Sequence, residues 1–180
     1  MEPLDVGRCF TLLEPGPVVW VVTHDGQRAS LMTITWTMAM DFAGTCAITT
    51  GAWNHSWQAL RRTRDCVIAI PPAEMIDTVV DVGMCSGRDV DKFDRFGLTP
   101  LPASRVAPPL VAECLANIEC RVVEIVEPYN IVVLQAVAGW EAPDRAARKT
   151  LHAVGDGTFV TDGDRLDRRA RMRAKLPPGF

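Results

Sequence analysis

Three consecutive polar residues, Asn54, His55 and Ser56, stand where a short helix is predicted to begin. The start of a helix offers unpaired backbone N–H groups and the positive end of the helix dipole, which attract anions such as a phosphate group. Arg61 and Arg62, about one turn further on, could add positive charge. The alternative is ordinary helix capping, for which Asn and Ser are common residues, with at least one arginine on a solvated face.

A second set of candidate residues lies on a predicted strand over residues 30–37, directly after the turn signal Asp25-Gly26. Successive side chains alternate between the two faces of a strand. One face therefore carries Ser30, Met32, Ile34 and Trp36, and the other carries Leu31, Thr33, Thr35 and Thr37. A face of this kind could present polar groups to the edge of a ligand ring. For Trp36 the alternative is core packing, because aromatic side chains supply buried area.

A lysine follows a second helix signal further along the chain. Ser86 and Asp89 have the Ser-x-x-acid spacing of a capping box, which predicts a helix through residues 90–96 that Gly97 ends. Asp89, Lys92 and Phe96 fall on one side of this helix by three- and four-residue spacing. Lys92 could contact a ligand there, or it could only form a surface ion pair with Asp89.

Short strands with inserted helices are the elements that must position these residues. Six strands are predicted over residues 18–23, 30–37, 45–50, 66–70, 117–126 and 131–137. Helices are predicted over residues 54–64, 75–83, 90–96 and 143–154, followed by a Gly155-Asp156-Gly157 turn and a short strand around Phe159. Strands and helices do not alternate regularly and no Gly-x-Gly-x-x-Gly follows a strand, which favours an α+β barrel over a doubly wound sheet.

Composition favours a single globular domain. The 180 residues are 48% hydrophobic and 23% charged, with a formal net charge of −3. This near-balance of charge argues against a nucleic-acid partner. Apolar stretches such as residues 17–23 are far shorter than the roughly 20 residues of a membrane-spanning helix. The first residues carry no basic and apolar leader, so we expect no membrane partner and a cytoplasmic location.

Cysteine and histidine spacing predicts no metal site. The six cysteines form no Cys-x-x-Cys pair, and the three histidines match no pattern of metal ligands. Cys46, Cys66 and Cys120 lie in apolar runs, where a free thiol behaves as a small core side chain. We therefore expect reduced cysteines, as in cytoplasmic proteins.

Four segments, taken in order, resemble the flavin-reductase-like, FMN-binding split-barrel family, which includes the flavoredoxin-type proteins. They are SLMTITW at 30–36, NHSW at 54–57, CSGRDVDKF at 85–93 with GLTP at 97–100, and PL at 109–110 leading to CLANIEC at 114–120. The resemblance implies an α+β fold: a mainly antiparallel, six-stranded split β-barrel with inserted helices, over residues 1–164. Residues 165–180 then form a basic tail.

The resemblance also implies the partners of this barrel. It implies a homodimer with FMN bound near the subunit interface, and a flavin ring open on one face to a nicotinamide or a redox protein. FAD is the alternative flavin, and NADH or NADPH is the expected electron donor. A downstream monooxygenase is a further partner that would fit such a protein.

The cofactor-binding residues that follow from the resemblance are Ser30, Met32, Thr33, Trp36, Asn54, His55, Ser56, Ser86, Lys92, Asn130 and Phe159. Lys92 is implied to lie near the N1–C2=O edge of the ring, where an ammonium group stabilises the reduced flavin. The chain departs from the family at Ser30, where members often carry Asn, and at Asn130, where they often carry His. Residues 38–44 also lack the paired prolines common after the family's tryptophan.

The predicted reaction is hydride transfer from a reduced nicotinamide to flavin N5, as in an NAD(P)H-dependent flavin reductase. The cofactor would carry the chemistry, and the protein would supply orientation, exclusion of water and charge stabilisation. The same residues fit a flavoredoxin-type electron carrier without direct nicotinamide use, or a flavin-dependent oxidase. A non-enzymatic barrel that binds a small ligand is the alternative from another class.

Overall fold

The computed structural model of the chain describes residues 1–177. Within these residues it contains twelve strands. They are β1 (Glu2–Leu4), β2 (Val19–His24), β3 (Ala29–Ile34), β4 (Thr37–Ala39), β5 (Thr45–Thr49), β6 (Asp65–Ile70), β7 (Pro100–Leu101), β8 (Leu110–Val111), β9 (Ala116–Val126), β10 (Ile131–Glu141), β11 (Leu151–Ala153) and β12 (Phe159–Thr161).

The same residues contain five α-helices, all short. They are α1 (Phe10–Leu13), α2 (Trp57–Thr63), α3 (Ile76–Met84), α4 (Lys92–Arg95) and α5 (Arg169–Met172). Single 3₁₀ turns occur at Val6–Arg8, Ala73–Met75, Glu127–Tyr129, Arg145–Ala147 and Arg173–Lys175. Residues 178–180 of the predicted basic tail lie outside the described residues.

One antiparallel sheet forms the body of the protein, in the strand order β3-β2-β6-β9-β10-β5-β4, with β1 added to β10. The strands at the two ends of this order, β3 and β4, are consecutive in the chain and are joined only by Thr35 and Trp36. Such a short link requires the two ends of the sheet to lie close together, so the sheet must curl into a barrel. All six predicted strands are present, and the α+β split-barrel prediction is confirmed.

Both faces of the central strands are buried. On β2, Val19 and Val21 point into the cluster inside the barrel, whereas Trp20 and Val22, with Val18 just before the strand, belong to a second cluster on its outer face. Helices α3 and α4 cover this outer face, to which they contribute Val79, Val82 and Phe93. Burial on both faces explains why β2 reads as a continuous apolar run rather than as an alternating one.

The three cysteines that were predicted to be core residues are buried. Cys46, Cys66 and Cys120 lie in the inner cluster, as predicted from their apolar surroundings. Each of the six cysteines is a free thiol, and Cys85 is the one that is only half-buried. Residues 1–177 contain neither a helix long and apolar enough to cross a membrane nor a group of three or more His, Cys, Asp or Glu able to hold a metal ion.

A buried carboxylate fastens the loop before β8 to the outer face of the barrel. Glu119, on β9, is fully buried and accepts hydrogen bonds from Ser104 N at 2.9 Å, Arg105 N at 2.5 Å and Trp140 Nε1 at 2.7 Å. Burial raises the pKa of the Glu119 carboxyl, but these donors more than offset that effect and hold the pKa below its usual value.

We expect Glu119→Gln to lower the free energy of unfolding near neutral pH by about 1.5–3 kcal/mol, because hydrogen bonds to a charged group are lost. Since the folded-state pKa is depressed, this stabilisation is present above the unfolded-state pKa of about 4.3 and is lost as pH falls through the folded-state value. Urea unfolding of both proteins at a series of pH values measures the difference, which should shrink in acid. The exposed Glu124→Gln is the control, and a pH-independent gap would contradict this account.

The structure corrects the predicted strand over residues 30–37. It ends at Ile34, and Thr37 begins the separate strand β4 at the other edge of the sheet. Between them the carbonyl of Trp36 accepts a hydrogen bond from Thr49 N at 3.1 Å. The break arises because the chain crosses from one edge of the barrel to the other, and the predicted alternation therefore holds only up to Ile34.

The predicted capping box at Ser86 is also wrong. Ser86 Oγ accepts from Arg88 N at 3.2 Å within a turn, and Asp91 caps α4 by accepting from Phe93 N at 3.0 Å. Asp91, which directly precedes α4, therefore caps this helix in place of Ser86. The segment before it is held as a loop by contacts with β3 that local spacing does not reveal.

The helix predicted over residues 143–154 is absent, apart from one 3₁₀ turn. In its place Lys149 O accepts from Ala73 N at 2.8 Å, and Leu151 O accepts from Val18 N at 2.7 Å. These bonds to distant segments extend the chain and form β11, which pairs with β12. Tertiary hydrogen bonds thus override a local helical pattern. The short strand predicted around Phe159 is confirmed as β12.

Candidate functional site

Most predicted site residues converge on a cleft beside the barrel wall, formed by β3, the segment before α2, the end of α3 and the loop that follows it. The cleft has a volume of about 250 Å³. Its polar lining consists of Thr33, Asn54, His55, Ser56, Ser86 and Lys92. Its apolar lining includes Leu31, Met32, Trp53, Val82, Met84 and Cys85. Polar groups nevertheless form most of its accessible lining, and we call this the apolar cleft only to distinguish it by these six side chains, which the adjoining cleft lacks.

A second cleft of about 200 Å³ adjoins it. The two clefts share His55 and Ser56 in their linings. The second one lies between the β2–β3 turn and α2, and its lining adds Arg28, Ser30 and Arg62. Asp25 lines it too, so two guanidinium groups accompany one carboxylate, and we call it the cationic cleft for this excess of positive charge.

Ser30, in the lining of the cationic cleft, has an unused hydroxyl. Its Oγ is buried and has no hydrogen-bond partner within the described residues. A Cβ on Gly87 would lie 2.1 Å from this Oγ and 3.1 Å from Ser30 Cβ, so residue 87 has to be glycine for the loop to approach β3. A buried hydroxyl without a partner is costly, which indicates that a ligand or water supplies the missing bond.

The polar triplet before α2 does not act as a side-chain cap. Ser56 occupies the cap position, but its hydroxyl makes no capping hydrogen bond, and Asn54 Nδ2 donates instead to Thr50 Oγ1 at 3.1 Å. The capping alternative is therefore wrong. Helix α2 spans only seven residues, so its dipole adds little, and anion binding here has to depend on side chains.

Two arginines bring charge to the cationic cleft. The guanidinium of Arg28 donates to Gly87 O, and that of Arg62 donates to Asp25 O, so both side chains are held in place. Each guanidinium has further N–H donors for an anion. Arg61, by contrast, pairs with Glu127 at 3.2 Å on the surface, which agrees with the expectation that one of the two helix arginines is solvated.

Lys92 lies at the wall of the apolar cleft and is only 4% exposed. Its Nζ donates to Val82 O at 2.7 Å, and it forms no ion pair with Asp89 within residues 1–177. The surface-pair alternative is therefore wrong. Burial lowers the pKa of the Lys92 ammonium, while the neighbouring Cys85 thiol acts in the opposite direction.

Eight of the predicted site residues thus line one or both clefts: Ser30, Met32, Thr33, Asn54, His55, Ser56, Ser86 and Lys92. Three others lie elsewhere in this chain. Trp36 is exposed between β3 and β4, so its predicted core alternative is wrong, and Phe159 packs against the outer cluster of the barrel. Asn130 lies in the β9–β10 turn next to Gly51, close to the cleft residue Trp53. Their contact with a cofactor stays a prediction.

Sequence reasoning missed three residues that shape the clefts. Arg28 lies in the β2–β3 turn, and nothing in its local sequence indicated a role in binding. Its guanidinium bonds to Gly87 O, and this contact depends on the packing of the loop at Gly87 against β3. Gly87 itself lies inside the misread capping box. Trp53 directly precedes the polar triplet, and this position is the one signal that could have pointed to it.

With this geometry in place, comparison with known proteins decides the family. The sequence profile described as "Flavin reductase like domain" matches residues 12–157 of the chain. The chain belongs to the flavin reductase-like domain family. The match spans the whole of the main sheet except β1, and both clefts lie within it.

Relatives of this flavin reductase-like chain agree with that assignment. The uncharacterized protein YddH of Escherichia coli is 30% identical, with 91% of this chain and 96% of that protein covered. An FMN-binding domain of a flavin reductases-like enzyme from Shewanella baltica superposes with a TM-score of 0.82 at 20% identity, covering 92% and 95% of the two chains. Flavoredoxin of Desulfovibrio vulgaris superposes with a TM-score of 0.78 at 20% identity, covering 85% and 90%. These two structures share the fold of this chain.

Proposed function

We propose that this chain binds FMN across the two clefts and catalyses the reduction of flavin by NADH or NADPH. The observation that carries the proposal is the unpartnered, buried Ser30 hydroxyl, which belongs to the lining of the cationic cleft and lies beside Gly87 of the apolar cleft. FMN has the matching division into a flat ring and a charged phosphate. Ring and phosphate are joined by a ribityl chain whose hydroxyl groups can bond to Ser30.

The cationic cleft suits the phosphate. Arg28 and Arg62 provide guanidinium donors, which bind phosphate in charge-assisted pairs. The Ser56 hydroxyl adds a neutral donor on the wall that both clefts share. Because a phosphate monoester carries nearly two negative charges at neutral pH, these side chains favour FMN over riboflavin.

The apolar cleft suits the ring. Met32 and Val82 provide apolar surface that excludes water, and Thr33 is held in place by donating its hydroxyl to Val79 O at 2.8 Å. Lys92 places its amino group at the same wall, where its protonated form would bring a positive charge to the ring. Bound FMN would supply the hydride-accepting chemistry, and the protein's part is to orient the ring and keep one side of it accessible.

The decisive experiment uses the purified protein with FMN, mixed under air with NADH or NADPH while the absorbance of the reduced nicotinamide is followed. We expect a yellow protein that oxidises one or both nicotinamides in an FMN-dependent reaction. If FMN binds but neither nicotinamide is oxidised, the electron-carrier alternative replaces the reductase. If no flavin binds, the barrel is not a flavoprotein and the proposal fails altogether.

We further propose that the chain works as a homodimer through an exposed apolar stripe around β4. The stripe consists of four alternate residues, Trp36, Met38, Met40 and Phe42, each of which is largely exposed in the single chain. Exposed apolar side chains that are grouped in this way are typical of association sites. A two-fold pair is the commonest way in which soluble proteins cover one.

Light scattering should report a mass near twice the 19.7 kDa of the chain. We expect the double variant Met38→Lys with Phe42→Lys to be monomeric, because it would bury two charges in the contact. Val160→Lys, at an exposed apolar position on β12, is the matched control and should remain dimeric. A wild-type monomer that binds FMN fully would rule out this interface.

A further inference from the structure

Trp53 is an exposed aromatic residue in the lining of the apolar cleft. Its side chain lines that cleft and is nevertheless 62% exposed, and Met84, in the lining of the same cleft, is 81% exposed. Large apolar side chains at the edge of a ligand cleft are typical of surfaces that a ligand covers. The indole is also the side chain best suited to stacking on a flat ring.

Gly51 leaves room for the indole. A Cβ on residue 51 would lie 2.4 Å from Trp53 Cζ3 and 2.8 Å from Trp53 Cη2, which are distances that real Cβ atoms do not reach. The ring therefore lies directly against the backbone of Gly51. Any other residue at this position would push the indole away, so glycine sets where the ring lies.

The amide of Asn130 lies beside the same glycine. Its Oδ1 would be 2.8 Å from the Cβ of residue 51, and Thr50 N donates to Asn130 O at 2.9 Å, which joins the β9–β10 turn to the cleft. The side-chain amide of Asn130 forms no hydrogen bond within residues 1–177. An amide offers both a donor and an acceptor, as a carboxamide partner requires.

An indole face next to an uncommitted amide matches a flat aromatic ring that bears a carboxamide. We propose that Trp53 is a specificity-determining residue that stacks on the nicotinamide ring of the electron donor, while Asn130 binds its carboxamide. This inference rests on the proposed flavin reductase function. It assigns the mouth of the apolar cleft to the nicotinamide and the interior to the flavin.

The test is anaerobic reduction of the FMN-loaded protein at increasing concentrations of NADH and of NADPH. In Trp53→Ala, the nicotinamide concentration that gives half the limiting rate should rise about three- to tenfold, as expected for loss of one aromatic contact. Trp53→Phe should lie between Trp53→Ala and the wild type, and Asn130→Ala should also raise this concentration. The FMN affinity should stay within about twofold, because the proposed contacts are to the nicotinamide, and the limiting rate should stay within about twofold, because stacking that is equally strong before and during hydride transfer affects binding alone.

Leu166→Ala is the matched control, since Leu166 is a large, exposed apolar side chain outside both cleft linings and outside the proposed dimer contact. An unchanged half-saturating concentration in Trp53→Ala would overturn the inference and leave the reductase function intact. Loss of FMN binding in Trp53→Ala would overturn it as well, because Trp53 would then hold the flavin. If neither nicotinamide reduces the wild-type protein, the reductase function fails first, and the inference fails with it.

Discussion

Replacing Ser56 with Asp should weaken FMN binding by about 100- to 1,000-fold and riboflavin binding far less. Ser56 is almost fully buried and lies on the wall shared by the two clefts, so a carboxylate there would face the phosphate. Two like charges about 4 Å apart repel by about 4 kcal/mol at the effective dielectric constant of a partly buried site. A repulsion of that size corresponds to about a thousandfold change in affinity.

Ser56→Asn is the matched control for this experiment. Asn has nearly the shape of Asp but no charge, so Ser56→Asn measures the effect of size alone. Titration of each variant with FMN and with riboflavin, followed by the quenching of flavin fluorescence, gives the two affinities. Equal losses for both flavins in Ser56→Asp would show that the phosphate lies elsewhere.

Replacing Lys92 with Met should lower the midpoint potential of the bound flavin by roughly 30 mV. The buried ammonium lies at the wall of the apolar cleft, where it stabilises the extra negative charge that a flavin ring carries after reduction. A charge-assisted contact contributes about 1.5–3 kcal/mol. For a two-electron step, about 1.4 kcal/mol corresponds to about 30 mV. Met has a similar length and removes the charge together with the hydrogen bond to Val82 O.

The potential should be measured by equilibration with a reference dye, below the lowered pKa of Lys92, so that the wild-type lysine is charged. As pH rises through that pKa, the difference between the two proteins should disappear. Arg88→Met removes an exposed cation from the neighbouring loop and serves as the control, for which we expect a smaller shift. An unchanged or raised potential in Lys92→Met would assign the stabilisation of the reduced ring to another group.

Local patterns predicted most of the framework. The Asp25-Gly26 turn between two apolar runs predicted the β2–β3 hairpin, and the apolar runs around Ile68, Ile118 and Leu134 predicted three strands of the main sheet. The helix signal after Pro72 was also confirmed, as α3. These predictions succeeded because turn geometry and side-chain periodicity depend on residues close together in the chain.

Local patterns failed where distant segments compete for the same backbone. The pattern over residues 143–154 is helical in isolation, yet bonds from Ala73 and Val18 draw this segment into an extended form. Trp36 fits an alternating strand, yet it lies at the crossing between the two edges of the barrel. Neither the distant hydrogen bonds nor the crossing between the edges can be recognised from a short stretch of sequence.

The sequence by itself determined that the chain is a mainly antiparallel barrel and that a polar triplet precedes a short helix. It also determined the family, because several ordered segments match at once. The tertiary structure alone decided that Arg28 and Arg62 meet near Ser30, that Lys92 is buried, and that Trp53 lies against Gly51. The reason is physical: Arg28 bonds to Gly87 across 59 residues. Contacts over such separations depend on how the whole barrel packs rather than on local preference.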